Sequence, residues 1–292
     1  MTPNLTFEAI GTQWNIQVHD LMADNIWRKL QAKIRHRILS FDQTYSRFRS
    51  DSLVSQMAQS AGTYELPPDG YALLHFYHDL YRITGGKITP LIGQVLSNAG
   101  YDATYSLVAK PMNPPPTWQS VLSYDEHHIT LRRPALLDFG AAGKGYLVDI
   151  IGKLLDDAGL HKYVIDAGGD ILQRSVDETP LEVGLENPFD TTEAIGVAHL
   201  SNYSLCASAG SKRAWGDFHH IINPLTLQSP DEVVATWVLA DDTMTADGLA
   251  TALFFTDART LGEKFLFSYA LLAKDGQLSC SPSFPVTLFE AT

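Results

Sequence analysis

Apolar and polar residues alternate along the first stretch of the chain. Leu5, Phe7 and Ala9 and then Trp14, Ile16 and Val18 occupy every second position, with Gly11 between the two sets. A period of two predicts two strands, or one bent strand, about a glycine turn. The period then lengthens. Ile26, Leu30, Ile34 and Ile38 recur every four residues, and Trp27 and Leu39 widen the stripe. Lys29, Lys33, Arg35 and Arg37 cover the other sides. This predicts a helix that ends near Phe41. Asp51 or Ser52 is placed to cap a short helix through Met57. Pro67-Pro68-Asp69 opens another, with Leu73, Leu74, Tyr77, Leu80 and Tyr81 at helical spacing and a stop at Gly85-Gly86.

Four prolines, Pro111, Pro114, Pro115 and Pro116, mark a surface connection. Beyond it, His128 to Leu131 and Ala135 to Asp138 have the pattern of paired strands. Asp138 to Asp149 follows as strand, glycine-rich turn and helix, the helix running to Gly159. Tyr163 to Ile171 is a buried-type strand ending in an acidic glycine turn, and Leu181 to Leu185 is another strand. Ile195 to Leu200 and Tyr203 to Ala207 suggest a hairpin across Ser201-Asn202. Val233 to Leu239 predicts a strand. Helices over 245–253 and 258–266 and strands near 268–273 and 285–289 complete the chain.

There is no repeat, no coiled-coil heptad and no strict βαβ series. The order predicts an α+β fold of mixed or antiparallel sheets with packed helices. With 292 residues, 45% of them hydrophobic, one unit spanning 1–292 is the expected organisation, with two intimate subdomains also allowed. The formal net charge of −12 argues against nucleic acid as a partner. The two cysteines, Cys206 and Cys280, are far apart and make neither a disulfide framework nor a zinc site. No apolar run is long enough to span a membrane. The first residues lack the basic and apolar segments of a signal peptide and lack a cysteine that could take a lipid, which gives a cytoplasmic expectation.

Three stretches carry candidate chemistry. In Thr245 to Leu253, Asp247 and Thr251 are four residues apart and share one helix face. An acid and a hydroxyl near a helix N-terminus suit a hard cation, phosphate oxygens or both. The plainer reading makes Thr245 or Asp247 an N-cap and Thr251 a packing residue. In Asp138 to Asp149, glycine-rich backbone N–H groups, a helix start and Lys144 suit a phosphate, although the stretch is neither a Walker A loop nor a GxGxxG motif. In Phe218 to Pro224, adjacent His219 and His220 point to opposite sides of a strand, so at most one faces a site.

Five stretches taken together resemble the FAD:protein FMN transferase (ApbE-type flavin transferase) family. They are Gly11-Thr12; Ser46 to Ser52; Gly86 to Gly93; Asp138 to Asp149 with Val164 to Asp170; and His219 to Pro224 with Ala246 to Thr251. They occur in the family's order and cover nearly the whole chain. The resemblance implies a mixed α+β architecture with T-fold-like parts. It also implies an enzyme that binds FAD and Mg2+, cleaves the pyrophosphate, releases AMP and joins FMN to a Thr or Ser hydroxyl of an acceptor flavoprotein. Carried over residue by residue, it implies Asp247, Thr251 and the Ala141 carbonyl as metal ligands. Ile10, Phe48, Lys87, Ile88, Thr89, Asp138, Lys144 and Ile221 are implied at the FAD. Asp247, Lys144 and His220 are the implied catalytic set, with His220 the candidate base.

The chain departs from the family's pattern in several places. Ile88-Thr89 stands where Phe-Asp is usual, and Ser208-Ala209-Gly210 where Thr-Ser-Gly is usual. Asn223 replaces the Asp before Pro224, and Asp166 replaces an Asn. These changes keep two alternatives open: an FAD pyrophosphatase giving FMN and AMP, and an FAD-binding protein without turnover.

Overall fold

The computed structural model describes residues 2–177 and 179–289. The opening alternation forms a hairpin of β1 (Asn4–Ala9) and β2 (Thr12–Val18), with Trp14, Ile16 and Val18 facing the core. Its two-residue loop, Ile10-Gly11, has positive φ at both positions, +44° and +75°. That suits the right-handed twist of a tight hairpin. A β-branched residue at positive φ is nonetheless an outlier, and such outliers persist where surrounding structure holds them.

Helix α1 (Asp24–Tyr45) runs one turn beyond Phe41, because the buried stripe continues to Tyr45. Ser52 caps α2 (Leu53–Met57), its Oγ accepting the Ser55 N–H at 3.1 Å. Next come β3 (Gly62–Glu65), α3 (Gly70–Ile83), α4 (Gly93–Asn98), α5 (Trp118–Val121), β4 (Leu122–Tyr124) and β5 (His128–Leu131). Strand β5 lies between β3 and β4, so both of its edges are used. The strand predicted over 135–138 therefore cannot pair with β5 and does not form. Instead Ala135 N–H donates to the Met57 carbonyl and Asp138 N–H to that of Pro90, while Leu137 is fully buried.

The remaining elements are α6 (Gly143–Asp157), β6 (Tyr163–Ala167), β7 (Ile171–Arg174), β8 (Leu181–Glu186), β9 (Ala194–Leu200), β10 (Ser204–Ala209), β11 (Ala214–Trp215), β12 (Phe218–His219), β13 (Val233–Ala240), α7 (Thr243–Ala252), α8 (Ala258–Leu261), β14 (Ser268–Ala273), β15 (Leu278–Cys280) and β16 (Val286–Leu288). An antiparallel eight-stranded sheet runs β1-β2-β6-β7-β10-β13-β14-β15. One face buries Cys206, Val238 and Leu172 with residues of α1, α3, α6 and α7. The other buries Leu205, Trp237 and Leu272 against Leu185, Ala198 and Leu200 of a second sheet, β16-β9-β8.

That second sheet overturns the hairpin expected across Ser201-Asn202. Strand β9 pairs with β8 and β16, whereas β10 pairs with β13 and β7. The turn, with Asn202 at φ +61°, is a corner between sheets, and Leu200 and Leu205 on either side of it pack into the same intersheet core. The helix expected over 258–266 is only α8, capped by Asp257 and ending before Gly262. Among the described residues no helix is long and apolar enough to cross a membrane.

Candidate active site

Strand β7 pairs with β10 only at Ser204 and Leu205, so the large sheet opens beyond Leu205. A cavity of about 950 Å³ borders this opening, lined there by Ala207, Ser208 and Ala209. It lies at the upper end of small-molecule site sizes, large enough for a dinucleotide. All twelve residues singled out from the sequence line it: Ile10, Phe48, Lys87, Ile88, Thr89, Asp138, Ala141, Lys144, His220, Ile221, Asp247 and Thr251.

Asp247 lies on the second turn of α7, only 6% exposed. It is not the helix cap. Asp242 takes that role, accepting the Thr245 N–H at 2.7 Å, and Asp149 accepts the N–H groups of Thr243 and Met244 at 2.8 Å each. These carboxylates use up the helix's leading donors, so the α7 N-terminus is not an anion site. Thr251 makes no hydrogen bond to the preceding turn among the described residues, unlike Thr44 and Thr84, which donate to carbonyls four residues back. The helix therefore leaves the Thr251 hydroxyl free for the cavity.

The glycine-rich turn departs from the phosphate cradle its composition suggested. Gly140 N–H donates to Asp138 Oδ1 at 2.7 Å, Ala141 N–H to the Tyr77 hydroxyl at 3.1 Å and Gly143 N–H to the Phe139 carbonyl at 2.8 Å. Gly145 N–H donates to Asp247 Oδ2 at 2.9 Å. The donors of Gly140, Ala141, Gly143 and Gly145 are spent inside the protein. What the turn and α7 can still offer is oxygen: the Ala141 carbonyl, the Thr251 hydroxyl and the second Asp247 oxygen. One carboxylate with neutral oxygens matches a hard cation of the Mg2+ kind that completes its shell with water and ligand oxygens. Among the described residues no group of three or more His, Cys, Asp or Glu side chains forms a ready-made cage.

Lys144 extends from the first turn of α6 to Asp170, with Nζ 2.5 Å from Oδ2, and also donates to the Ala167 carbonyl at 2.9 Å. Burial works against its ammonium, but Asp170 and Asp247 outweigh that effect and hold it above the usual lysine range. Burial, then the Asp170 charge, pushes the Asp247 carboxyl upward, while Lys144 and the Gly145 N–H oppose the shift. Lys87 Nζ donates to the Phe255 carbonyl at 2.8 Å, tying its turn to the far end of α7. Thr89 Oγ1 accepts the Leu91 N–H, and Ile88 is buried.

His220 faces the cavity, while His219 does not line it and has Nε2 2.8 Å from the Pro230 carbonyl. Of the pair, only His220 lines the cavity. Burial, with Arg213 and His219 adding to it, lowers the His220 pKa to about 4. Its imidazole is neutral near pH 7, and its Nδ1 is buried without a hydrogen-bond partner.

Other residues of the site escaped the sequence reading. The Arg47 side chain is 2% exposed and lies with Nε 2.5 Å from Asp138 Oδ2. Its guanidinium stacks 4.2 Å from the Phe48 ring centroid and 4.9 Å from that of Tyr101. Tyr105 stacks on Phe48 at 5.4 Å, and Arg213 donates to the Tyr101 hydroxyl at 2.7 Å. An arginine next to Phe48 within the polar Ser46 to Ser52 stretch was the only available signal for this group. In all, six acidic and six basic side chains line the cavity, so it holds no basic excess to draw in a pyrophosphate. A cation would supply the missing positive charge.

A model described as the ApbE family matches residues 10–266. The chain is 23% identical over 269 residues to the FAD:protein FMN transferase of Vibrio cholerae serotype O1, covering 86% of this chain and 80% of that protein. It is 27% identical over 241 residues to the protein of the same name from Treponema pallidum, covering 70% and 65%. Among solved structures, the flavin transferase ApbE from Vibrio cholerae has a TM-score of 0.80 at 22% identity, covering 97% of this chain and 98% of that one. The ApbE protein from Thermotoga maritima has a TM-score of 0.84 at 20% identity, with the same coverage.

Proposed function

Because the chain belongs to the ApbE family, we propose that it is an FAD:protein FMN transferase, moving FMN from FAD to a Thr or Ser hydroxyl of an acceptor flavoprotein and releasing AMP. The observation that carries this reading is the set of oxygens that the Gly140–Gly145 turn and α7 leave for one cavity, with the N–H groups of Gly140, Ala141, Gly143 and Gly145 directed into the protein. A pyrophosphate in a cavity without basic excess needs a divalent cation. Asp247, the Thr251 hydroxyl and the Ala141 carbonyl would hold Mg2+, which when bound supplies neutralisation of phosphate charge.

The chain's own residues do the rest. Asp138, fixed by Arg47 and the Gly140 N–H, presents a positioned carboxylate to the flavin nucleotide. Phe48 and Tyr101 give it an aromatic wall. The Lys144–Asp170 pair sets a protonated amine beside Asp247. The acceptor oxygen attacks the FMN phosphorus in line; that P–O bond forms as the bond to the bridging pyrophosphate oxygen breaks, and AMP departs. Neutral His220 accepts the hydroxyl proton. Bound phosphates raise its basicity, because a nearby anion favours imidazolium.

The test is a product analysis after incubation with FAD, Mg2+ and a flavin-free acceptor domain. Covalent fluorescent flavin on the acceptor together with AMP supports transfer. Free FMN with AMP and no labelling replaces it with pyrophosphatase activity. Tight FAD retention without either product replaces it with a binding module.

A further inference from the structure

We propose that the open edge of β8 receives an extended segment of the acceptor protein, which pairs with it as an added strand and carries its hydroxyl into the cavity. This rests on the transfer reading above and names how the second substrate docks.

Among the described residues β8 pairs with β9 alone, so its other edge is unpaired. The ladder shows which groups that edge presents. His199 N–H donates to the Pro285 carbonyl and Phe289 N–H to that of Ile195, so on β9 residues 195, 197 and 199 direct their main-chain groups toward β16. Residues 196, 198 and 200 then face β8, where they oppose Leu185, Val183 and Leu181. On β8 this leaves the N–H and C=O of Glu182 and Gly184 pointing away from the sheet. Unpaired edge groups of this kind are templates for another chain.

Two further features fix the place. Val183, Gly184 and Glu186 of β8 all line the cavity. The cavity therefore reaches this stretch of the strand. Gly184 is also not required by the fold. A methyl group there would meet only the Ala194 Cβ, at 3.7 Å, and the backbone is outside the left-handed region. An unforced glycine weakens a strand, and its use marks a position where another backbone comes close. Glu182 and Glu186 flank the site, so a segment without carboxylates opposite them fits best.

The test uses the full chain with FAD, Mg2+ and a recombinant flavin-free acceptor domain that keeps its flavin-bearing threonine. Gly184→Pro removes the outward N–H at an edge position where proline is tolerated, and Gly184→Ala keeps it. The expected result is an acceptor KM raised about tenfold in Gly184→Pro, for the loss of one main-chain hydrogen bond and close approach. Gly184→Ala, which keeps the N–H but adds a methyl where the segment comes close, should raise the acceptor KM less than Gly184→Pro, and FAD affinity by flavin fluorescence should be retained in both, which also reports folding. Hydrogen exchange on the wild-type chain should show slowed exchange in β8 when the acceptor domain is added. Labelling without β8 protection, or with an unchanged KM in Gly184→Pro, overturns the docking edge and leaves transfer intact. Protection of β8 without labelling supports the edge and overturns transfer. Neither protection nor labelling overturns both.

Discussion

The main-chain N–H of Gly145 donates to Oδ2 of Asp247 at 2.9 Å, across 102 residues of sequence. The contact requires glycine for a steric reason. A Cβ on residue 145 would lie 2.2 Å from the Thr243 carbonyl oxygen and 2.7 Å from the Asp247 Cβ. The glycine-rich turn thus lets α6 and α7 meet closely enough for one to orient the acid of the other.

Gly145→Ala should therefore damage both stability and transfer. Forcing a methyl into this contact is an overpacking change, worth about 3 kcal/mol. Chemical denaturation should show a loss of that order, and labelling activity should fall even where the protein is still folded. Wild-type stability in this variant would mean that the two helices can part without cost.

Arg47 and Asp138 form a nearly enclosed ion pair, with side chains 2% and 11% exposed. Breaking a buried pair leaves a charge without its partner, at a cost of about 3 kcal/mol. Arg47→Met should lower stability by that order. FAD affinity, followed by flavin fluorescence, should also weaken, since Asp138 loses its fixed orientation. The double change Arg47→Met with Asp138→Asn should recover part of the stability but not the affinity.

The candidate residues were legible mostly through the order of the family's motifs and only partly through local signals. Asp247 and Thr251 share a face at a spacing of four, but that pattern alone suits a cap and a packing residue as well, and the His219-His220 alternation limits the pair to one imidazole on a site. The rest depended on tertiary contacts. Nothing near Gly145 announces that its N–H serves Asp247, so the turn's composition suggests an anion cradle although most of its donors are spent internally. Arg47 gave no sign of the partner it finds at Asp138. In the fold, Ser201-Asn202 has turn chemistry that suits a hairpin and a corner between sheets equally well. Leu136-Leu137 has strand-like residues, but β5 has no free edge to offer them.

His220 provides a pH test. Its folded pKa is about 4, below the unfolded value of about 6.5. Protonation therefore favours the unfolded chain. The stability this histidine contributes is complete above pH 6.5 and is lost as pH falls through about 4, on the order of 3 kcal/mol in all. Denaturation curves at pH 7 and pH 4 should show a larger loss for wild type than for His220→Gln by about that amount. Equal losses would show that the imidazole is not held neutral by burial.

In the proposed reaction Asp247 organises the oxygens on which pyrophosphate cleavage and FMN transfer depend. The most direct measurement is intact-mass analysis of a flavin-free acceptor domain after incubation with FAD and Mg2+, using wild type and Asp247→Asn in parallel. The wild-type reaction should add one FMN to the acceptor. Asp247→Asn, folded and with its Gly145 contact still available to an amide oxygen, should label at least about a hundredfold more slowly. Labelling by Asp247→Asn at the wild-type rate would show that the Asp247 carboxylate has no part in transfer.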